Sequence, residues 1–463
     1  MPRLIVPNLS RPCLRPAPAS LLALALLASG AIGLTGTARA QSLLELYGAA
    51  RGYDAAYQSA RAQAESVVFK AEQGRALRRP TVNGTATWVE SRNETPYATV
   101  TLSRTGQQSL AVTAQQSLFN PGNDKIIAQA DKAIEVARSQ LAAIEQDLIV
   151  RLAQAYFDVL AASDALGTVQ TSKKAIAEQL ASAKRNFEVG TATITDTREA
   201  QAKFDLATAQ ELAAENDLNV KRLALEGVVG RTGVQPRPMA LPIVLPGTGA
   251  ADVEEWVGQA DQLSPSLTQL RLAREVARLE TEKARTGKLP TVGISGSLTD
   301  AQTQLSGRTL GGTFGPSTGN GLSAIVTLQL TMPLYTGQAV QNRIKETLAL
   351  EDKAQSDLDA GRRSVAQGTR SAFFGLNSLR AQVTALEAAE SSSKLALEAT
   401  QLGYKVGVRV NLDVLNAQTQ LFQAQRDLAK ARYDVVVNSL KLRQVSGQLQ
   451  PQDMNAVDAL LAR

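Results

Sequence analysis

The stretch LSAIVTLQLTMPL, residues 322–334, decides the fold of the chain around it. Apolar side chains occupy every second position from Leu322 to Leu334. Between them lie Ser323, Thr327, Gln329 and Thr331, interrupted by Ile325. Near-strict alternation over about a dozen residues predicts a β-strand with one apolar and one polar face. About ten residues is also the length of a tilted strand that crosses a membrane. A strand in a soluble hairpin has the same pattern, so both interpretations stay open at this point.

Segments of this kind occur as two pairs. One pair spans about 291–334, and a second, with weaker alternation, spans about 81–119. The segments between the two strands are rich in Gly, Ser and Thr, as in Gly311–Pro316. Such a loop suits a tip that faces the cell exterior. The sequence therefore predicts four strands in two hairpins.

The chain contains two copies of one unit. Pro80-Thr81-Val82 recurs 210 residues later at 290–292, whereas Val189-Gly190 recurs 217 residues later as Val406-Gly407. Because loops absorb insertions more readily than packed elements, the seven-residue difference predicts a longer strand hairpin in the second copy. Residues 41–235 are the first predicted repeat and 251–463 the second. A linker rich in Pro and Gly joins them at 236–250.

Each repeat is predicted to open with one helix of about thirty residues that ends before a proline. After the strand pair comes a long tract without proline, at about 122–230 and again at about 337–447. Each tract is interrupted once, at Val189-Gly190 and at Val406-Gly407, where we expect the chain to reverse direction. The first of these helices would extend roughly 100 Å at about 1.5 Å per residue. A seven-residue repeat in the last helix predicts coiled-coil packing. Its members are Val414, Leu421, Leu428, Val435 and Leu442.

The first forty residues predict a secretory signal peptide, residues 1–40. Arg3, Arg11 and Arg15 precede the apolar run Leu21–Gly33, and Ala38-Arg39-Ala40 matches an A-x-A cleavage site. An uncleaved anchor is the alternative. Cleavage would remove the one cysteine of the chain and four arginines, lowering the formal charge from +6 to +2. That charge does not indicate nucleic acid as a partner.

The chain has no histidine. Histidine is the commonest general base and the commonest metal ligand in proteins, so its absence argues against both kinds of site. The sequence also lacks the P-loop and H-E-x-x-H motifs. We therefore expect no enzyme activity and no cofactor.

Four tilted strands cannot close a barrel, and an open sheet edge in lipid leaves backbone groups without hydrogen bonds. Strands that span a membrane must then be completed by other copies of the chain, and a closed cyclic assembly does this. The helical seams need neighbours for the same reason. The predicted fold class is an α+β membrane protein in which a long α-helical coiled-coil barrel continues into a transmembrane β-barrel.

The motifs together resemble the TolC family of outer-membrane factors over essentially the whole chain after residue 40. The resemblance rests on Leu289–Val292, Met332–Gly337, Asn186–Gly190 with Ile194–Asp196, and Gly403–Arg409 with Asp413–Ala417. It implies a homotrimer of twelve strands in the bacterial outer membrane that extends into the periplasm. It also implies a passive exit duct for type I protein secretion, drug efflux, or both. The implied partners are a periplasmic adaptor, an inner-membrane ABC or proton-driven pump, and outer-membrane lipid.

The resemblance further implies a gate at the periplasmic helix reversals, closed by polar links between inner and outer helix pairs. The matching positions are Gln179, Thr195, Asp196, Tyr404 and Arg409. A carboxylate that faces a tyrosine hydroxyl and a guanidinium makes directional bonds that can separate. Local sequence leaves a second interpretation, in which Asp196 caps the following helix and Tyr404 and Arg409 are solvated turn residues.

Two acidic positions one turn apart form the pore constriction in this family. Asp413 fits the first position, but Asn416 occupies the second and departs from the pattern. A trimer would then carry three carboxylates from this site rather than six. We expect weaker block by cations as a result.

Two other functional classes are a periplasmic adaptor and a soluble coiled-coil protein. A periplasmic adaptor would have one helical hairpin nested within β-rich domains, rather than two duplicated hairpins that each follow a strand pair. A soluble coiled-coil protein would not need the alternating strands.

Overall fold

The computed structural model of the chain describes residues 41–94, 100–240, 252–309 and 311–462. The expected signal peptide at 1–40 and most of the expected linker at 236–250 lie outside these residues. Within them, no helix is both long enough and apolar enough to cross a membrane.

One order of elements occurs twice. The first half contains α1 (Leu43–Tyr53), α2 (Ala55–Arg75), a 3-10 turn (Ala76–Arg78), β1 (Thr81–Glu94), β2 (Val100–Phe119), α3 (Pro121–Glu188) and α4 (Ile194–Val229). The second half contains α5 (Val253–Leu263), α6 (Pro265–Thr286), β3 (Thr291–Thr309), β4 (Gly312–Thr331), α7 (Ala339–Lys405) and α8 (Asn411–Val445). A short helix, α9 (Asp453–Asp458), follows. We call α3 and α4 the first helical hairpin, and α7 and α8 the second.

The single helix predicted before each strand pair is two helices, so that prediction was wrong. Asp54 separates α1 from α2, and Ser264 separates α5 from α6, with ψ angles of 116° and 122° that end the helix. The Asp54 carboxylate then accepts a hydrogen bond of 2.8 Å from the Tyr57 N–H and caps α2. Pro265 opens α6, where a missing N–H costs nothing.

The four strands form one antiparallel sheet in the order β1-β2-β3-β4. Thr81 pairs with Gln115, 34 positions on, whereas Thr291 pairs with Thr331, 40 positions on. The second strand hairpin is therefore six residues longer than the first. Within the part of the chain that the structure describes, β1 and β4 each have a strand neighbour on one side only.

The stretch Gly311–Pro316 was expected to be a loop, but most of it belongs to β4. Phe314 pairs with Gly307 and Thr313 pairs with Arg308. At Gly307 a Cβ atom would lie 2.7 Å from the Phe314 ring, so the absent side chain makes room for the phenylalanine. Local composition does not report such a cross-strand contact, which is why the sequence alone predicted a loop.

One face of the sheet is apolar and exposed. Its members include Leu110, Val112, Leu298, Val326 and Leu328, whose exposed fractions lie between 47% and 78%. Val112 pairs directly with Leu298, and the others follow at two-residue intervals, so they share this face. Mostly Ser, Thr and Gln fill the other face. We call the first surface the apolar face; nothing in the described chain covers it.

The helices form two layers, which follow one another along the length of α3 and α7. Next to the sheet, neighbouring helices follow the order α2-α3-α6-α7, and farther away they follow the order α4-α3-α8-α7. The largest core cluster lies between these layers, where α1, α3, α8 and α9 meet. Tyr156, Phe157 and Leu440 are buried there. The Arg237 N–H donates to the Tyr156 hydroxyl at 2.7 Å and ties the end of the first half to this core.

A cluster of ion pairs joins the helices near the sheet. Glu280 of α6 accepts hydrogen bonds from Gln129 of α3 at 2.9 Å, Lys283 at 2.7 Å and Arg343 of α7 at 2.7 Å. Partial burial alone would raise the pKa of the Glu280 carboxyl, but these three donors outweigh it and lower the pKa to about 2. Glu280 therefore links three helices while it is ionised.

Glu280→Gln is expected to lower the free energy of unfolding by about 1–2 kcal/mol at neutral pH, because charge-assisted hydrogen bonds are lost. Since the folded pKa lies below the ordinary value of 4.5, this contribution is full above pH 4.5 and is lost as the pH falls towards about 2. Wild type and variant should therefore converge over that window in urea unfolding followed by circular dichroism. Glu275→Gln is the matched control on α6; its exposed pair with Lys132 should contribute less than about 0.5 kcal/mol. A constant difference down to low pH would contradict the assignment.

Candidate functional site: the helix-reversal ends

Both helical hairpins reverse through the same turn. Val189 and Val406 end α3 and α7 with identical backbone angles, and Gly190 and Gly407 follow, each at φ 79°. That left-handed conformation favours glycine, which has no Cβ to clash. The Thr191 N–H then donates to the Asn186 carbonyl at 2.8 Å, closing a Schellman turn. Val189, Gly190, Val406 and Gly407 thus occupy the positions predicted for the reversals.

Two hydrogen bonds near the reversals connect the hairpins through residues of the expected gate. The Gln179 side-chain amide of α3 donates to the Asn411 side-chain oxygen at the start of α8. The Asn186 side-chain amide of α3 donates to the Tyr404 hydroxyl of α7 at 3.2 Å. Gln179 and Tyr404 were predicted from sequence, whereas their partners Asn411 and Asn186 were missed. Two polar residues on different helices give no local signal that they will meet.

A third link involves the expected constriction. Lys203 of α4 donates to the Asn416 side-chain oxygen at 3.4 Å. The Asp413 carboxylate forms a salt bridge of 3.6 Å with Arg409, one turn earlier in the chain. Asp413 and Asn416 therefore lie at the start of α8 beside two cations. The local sequence around Lys203 does not predict this contact.

The other expected gate residues contact their own segments. The Asp196 carboxylate accepts from the Thr193 N–H at 3.0 Å and from its hydroxyl at 2.8 Å, and the Thr193 hydroxyl accepts from the Asp196 N–H at 3.2 Å. This is a capping box at the start of α4. Thr195 is exposed. Within the described chain, no hydrogen bond joins Asp196 to Tyr404 or Arg409.

The contact between the hairpins near these links is small and mixed in polarity. Leu415 of α8 is fully buried against Ile176 and Leu180 of α3. Asn411 and Gln418 flank it, and both are more than nine-tenths buried. Among the described residues, the Asn411 amide nitrogen and the Gln418 side-chain oxygen have no hydrogen-bond partner. Because unpaired buried polar atoms cost free energy, water that enters between the hairpins would satisfy them. This contact therefore resists separation weakly.

The turns also expose apolar side chains. Val189, Val406 and Val408 have exposed fractions of 73%, 66% and 78%. Ile194 and Val410, at the starts of the return helices, are half exposed. Apolar surface concentrated at the end of a helical bundle is typical of a contact site for another protein.

The outermost helices of each layer have a side that no described helix of the same chain covers. The 217-residue offset relates α3 to α7 and α4 to α8, so the α3–α8 contact within the chain is equivalent to an α7–α4 contact. Among the described residues of one chain, which follow the order α4-α3-α8-α7, α4 and α7 make no extensive contact. Phe157 of α3 stacks on Tyr433 of α8 at 5.8 Å and is 1% exposed. Its equivalent, Phe374 of α7, is 60% exposed.

The family model described as "Outer membrane efflux protein" matches the chain twice, at residues 46–231 and 256–448. The chain belongs to the outer membrane efflux protein family. The two matches correspond to the two runs of elements described above. The resemblance to TolC-type outer-membrane factors is thereby confirmed.

Members of this family across several bacteria are similar to the chain. Outer membrane protein TolC of Vibrio cholerae is 32% identical over 438 residues, which cover 94% of this chain and 98% of that protein. Alkaline protease secretion protein AprF of Pseudomonas aeruginosa is 32% identical over 337 residues, which cover 72% and 68%.

Solved structures show the same fold. The outer membrane protein VceC of Vibrio cholerae has a TM-score of 0.72 and 18% identity, covering 88% of this chain and 96% of that one. CusC has a TM-score of 0.74 and 16% identity, covering 88% and 92%. The predicted fold class, a sheet for a membrane barrel joined to a long helical bundle, is confirmed. This efflux family protein is an outer-membrane protein that extends into the periplasm, and its family forms outer-membrane channels.

Proposed function

We propose that three copies of the chain close into one duct that carries cargo out of the periplasm as part of a tripartite system. This proposal rests on the uncovered edges of the sheet and of the helical layer. At the sheet, β1 and β4 each lack a second strand neighbour among the described residues. In the periplasm, α7 lacks the α4 contact that the repeat offset requires. One cyclic assembly completes both, and three copies give twelve strands.

The proposed partners are a periplasmic adaptor and an inner-membrane ABC or proton-driven pump. Exposed apolar residues on the reversal turns, such as Val408, support docking of the adaptor there. The relatives bear names that refer to different cargoes: alkaline protease secretion for AprF and cobalt-zinc-cadmium resistance for CzcC of Cupriavidus metallidurans. We infer that the duct is passive, and that pump and adaptor select between type I protein secretion and drug efflux.

The proposed gate uses links within and between chains. Gln179–Asn411 and Asn186–Tyr404 hold the two hairpins of one chain together. By the repeat offset, α4 of one copy lies beside α7 of the next. Thr195 and Asp196 of one chain would then approach Tyr404 and Arg409 of its neighbour. We propose that these contacts complete the latch on assembly.

The proposed constriction is less acidic than six carboxylates would make it. Asp413 has Arg409 beside it, and Asn416 accepts from Lys203. Because charge of one sign in a narrow pore raises the local concentration of the opposite ion, this site attracts divalent cations weakly.

Asn416→Asp is expected to sharpen block by divalent cations, lowering the blocking concentration about threefold to tenfold, because each chain adds a carboxylate to the constriction. Lys203 would partly neutralise that charge, so Lys203→Gln combined with Asn416→Asp should be blocked at still lower concentration. Conductance of purified trimers in planar lipid bilayers measures both effects.

Asn416→Ser is the matched control, since it alters side-chain size without adding charge. If block by divalent cations is unchanged in both carboxylate variants, Asn416 and Lys203 do not lie at the constriction. Absence of any channel opening in long recordings of wild-type trimers would contradict the proposed duct.

A further inference from the structure

The apolar face of the sheet carries a depression at the end nearer the strand turns. It has a volume of about 250 Å³, and its floor is Gly106, where a Cβ would meet nothing within 4 Å. Polar and aromatic side chains surround the floor. They include Trp88, Arg104, Gln108, Gln302 and Gln304.

Strand register places these residues on one face. Trp88 pairs with Gln108, and Gln108 pairs with Gln302, so the three lie in a row across β1, β2 and β3. Arg92 pairs with Arg104 two rows farther on. Since successive residues point to opposite faces, residues two and four positions from Trp88 share its face. The row and the arginines therefore form one surface.

This surface begins where the apolar face ends. Leu110 and Leu322 lie one row before Trp88, on the side of the apolar residues, with Asp300 of β3 between them. Tryptophan is typical of the boundary between hydrocarbon and head groups in a membrane barrel. Arg92 is four residues beyond Trp88, about 13 Å along the strand at about 3.3 Å per residue. The depression thus lies at the level of lipid head groups on the far side of the membrane from the helices.

One guanidinium of this surface, that of Arg104, suits an anion, whereas the carboxylate of Asp300 shares the face. Arg104 is exposed and has no salt bridge or hydrogen bond within the described residues, whereas Arg92 pairs with Glu94 at 2.6 Å. Glu90 also borders the depression. A guanidinium matches the geometry of a phosphate through paired N–H donors. Arg104 is therefore the group available to a phosphate.

We propose that this depression binds the phosphorylated saccharide head group of an outer-leaflet glycolipid. Arg104 donates to the phosphate, and the side chains of Gln108, Gln302 and Gln304 hydrogen-bond to sugar hydroxyls. The Trp88 indole covers an apolar face of a sugar ring. Acyl chains continue along Leu110 and the rest of the apolar face, which a soluble sugar phosphate would leave exposed. The proposal rests on the outer-membrane placement of the sheet and is independent of the gate.

The test uses wild-type trimers in phosphatidylcholine nanodiscs that contain an acylated glucosamine disaccharide carrying two phosphates, or the same lipid without phosphates. Native mass spectrometry counts the retained lipids. We expect about tenfold preference for the phosphorylated form, equivalent to about 1.4 kcal/mol. Phosphatidylglycerol, an anionic lipid without the disaccharide, should be retained less than the phosphorylated glycolipid.

Arg104→Gln should abolish the preference for phosphate. Arg79→Gln, an exposed arginine just before β1 at the opposite end of the sheet, should leave it unchanged. Equal retention of both glycolipids by wild type, or equal effects of the two variants, would overturn the site. Retention of phosphatidylglycerol equal to that of the glycolipid would overturn the saccharide contacts. Because the same trimers are assayed for conductance, failure of the site with an intact pore is distinguishable from failure of the duct.

Discussion

Phe374→Glu should prevent trimer assembly while the single chain keeps its helical content. Phe374 is 60% exposed in one chain, so a charge there costs an isolated chain little. If α7 packs against α4 of a neighbour, Phe374 is buried at each of the three interfaces of the trimer. An unpaired buried charge costs several kcal/mol, so we expect a penalty of about 3 kcal/mol or more at each interface.

The effect is measured as the fraction of heat-modifiable trimer in extracted outer membranes, together with the circular dichroism of the purified chain. Phe374→Leu is the matched control, because it keeps an apolar side chain in the seam and should still assemble. Normal assembly of Phe374→Glu would show that this seam faces solvent in the working protein. A loss of helical signal would show instead that Phe374 stabilises the single chain.

Gln179→Ala combined with Tyr404→Phe should convert a mostly closed duct into a mostly open one. Each change removes one hydrogen bond between the hairpins, worth about 1 kcal/mol. Two bonds in each of three chains total about 6 kcal/mol, and about 5.5 kcal/mol suffices to move a two-state equilibrium from 1:99 to 99:1. The unpaired polar atoms of Asn411 and Gln418 add no resistance to separation.

Single-channel recording in planar bilayers should therefore show a mean conductance more than tenfold higher for the double variant. Thr400→Val is the control, because the Thr400 hydroxyl donates to Ala396 within α7 and makes no link between the hairpins. Each single variant should give an intermediate open fraction. Conductance equal to that of wild type would mean that these two bonds do not hold the gate.

Much of the fold could be read from the sequence because its signals are local. Alternation at 322–334 reports a strand with two different faces. Val189-Gly190 and Val406-Gly407 indicate turns with a left-handed residue, because the left-handed conformation favours glycine. The helix break at Ser264 was also readable, since serine followed by Pro265 is a helix-start signal.

The contacts of the gate could not be read in the same way. Asp196 offered two local interpretations, and within one chain it caps α4 through Thr193. Its proposed partners belong to another copy, so neither local sequence nor a single chain reports the pairing. The contacts of Lys203 and Asn411 depend on how the two hairpins pack, because each residue lies more than 200 residues from its partner.

The incompleteness of the single chain is the claim on which the duct, the gate and the constriction depend. Native mass spectrometry of the wild-type protein released from lipid nanodiscs, with conductance recorded on the same preparation, tests it most directly. We predict particles of three chains that form a pore, with no stable smaller species in the membrane. A stable particle of one chain that sits in lipid without a pore would contradict the account.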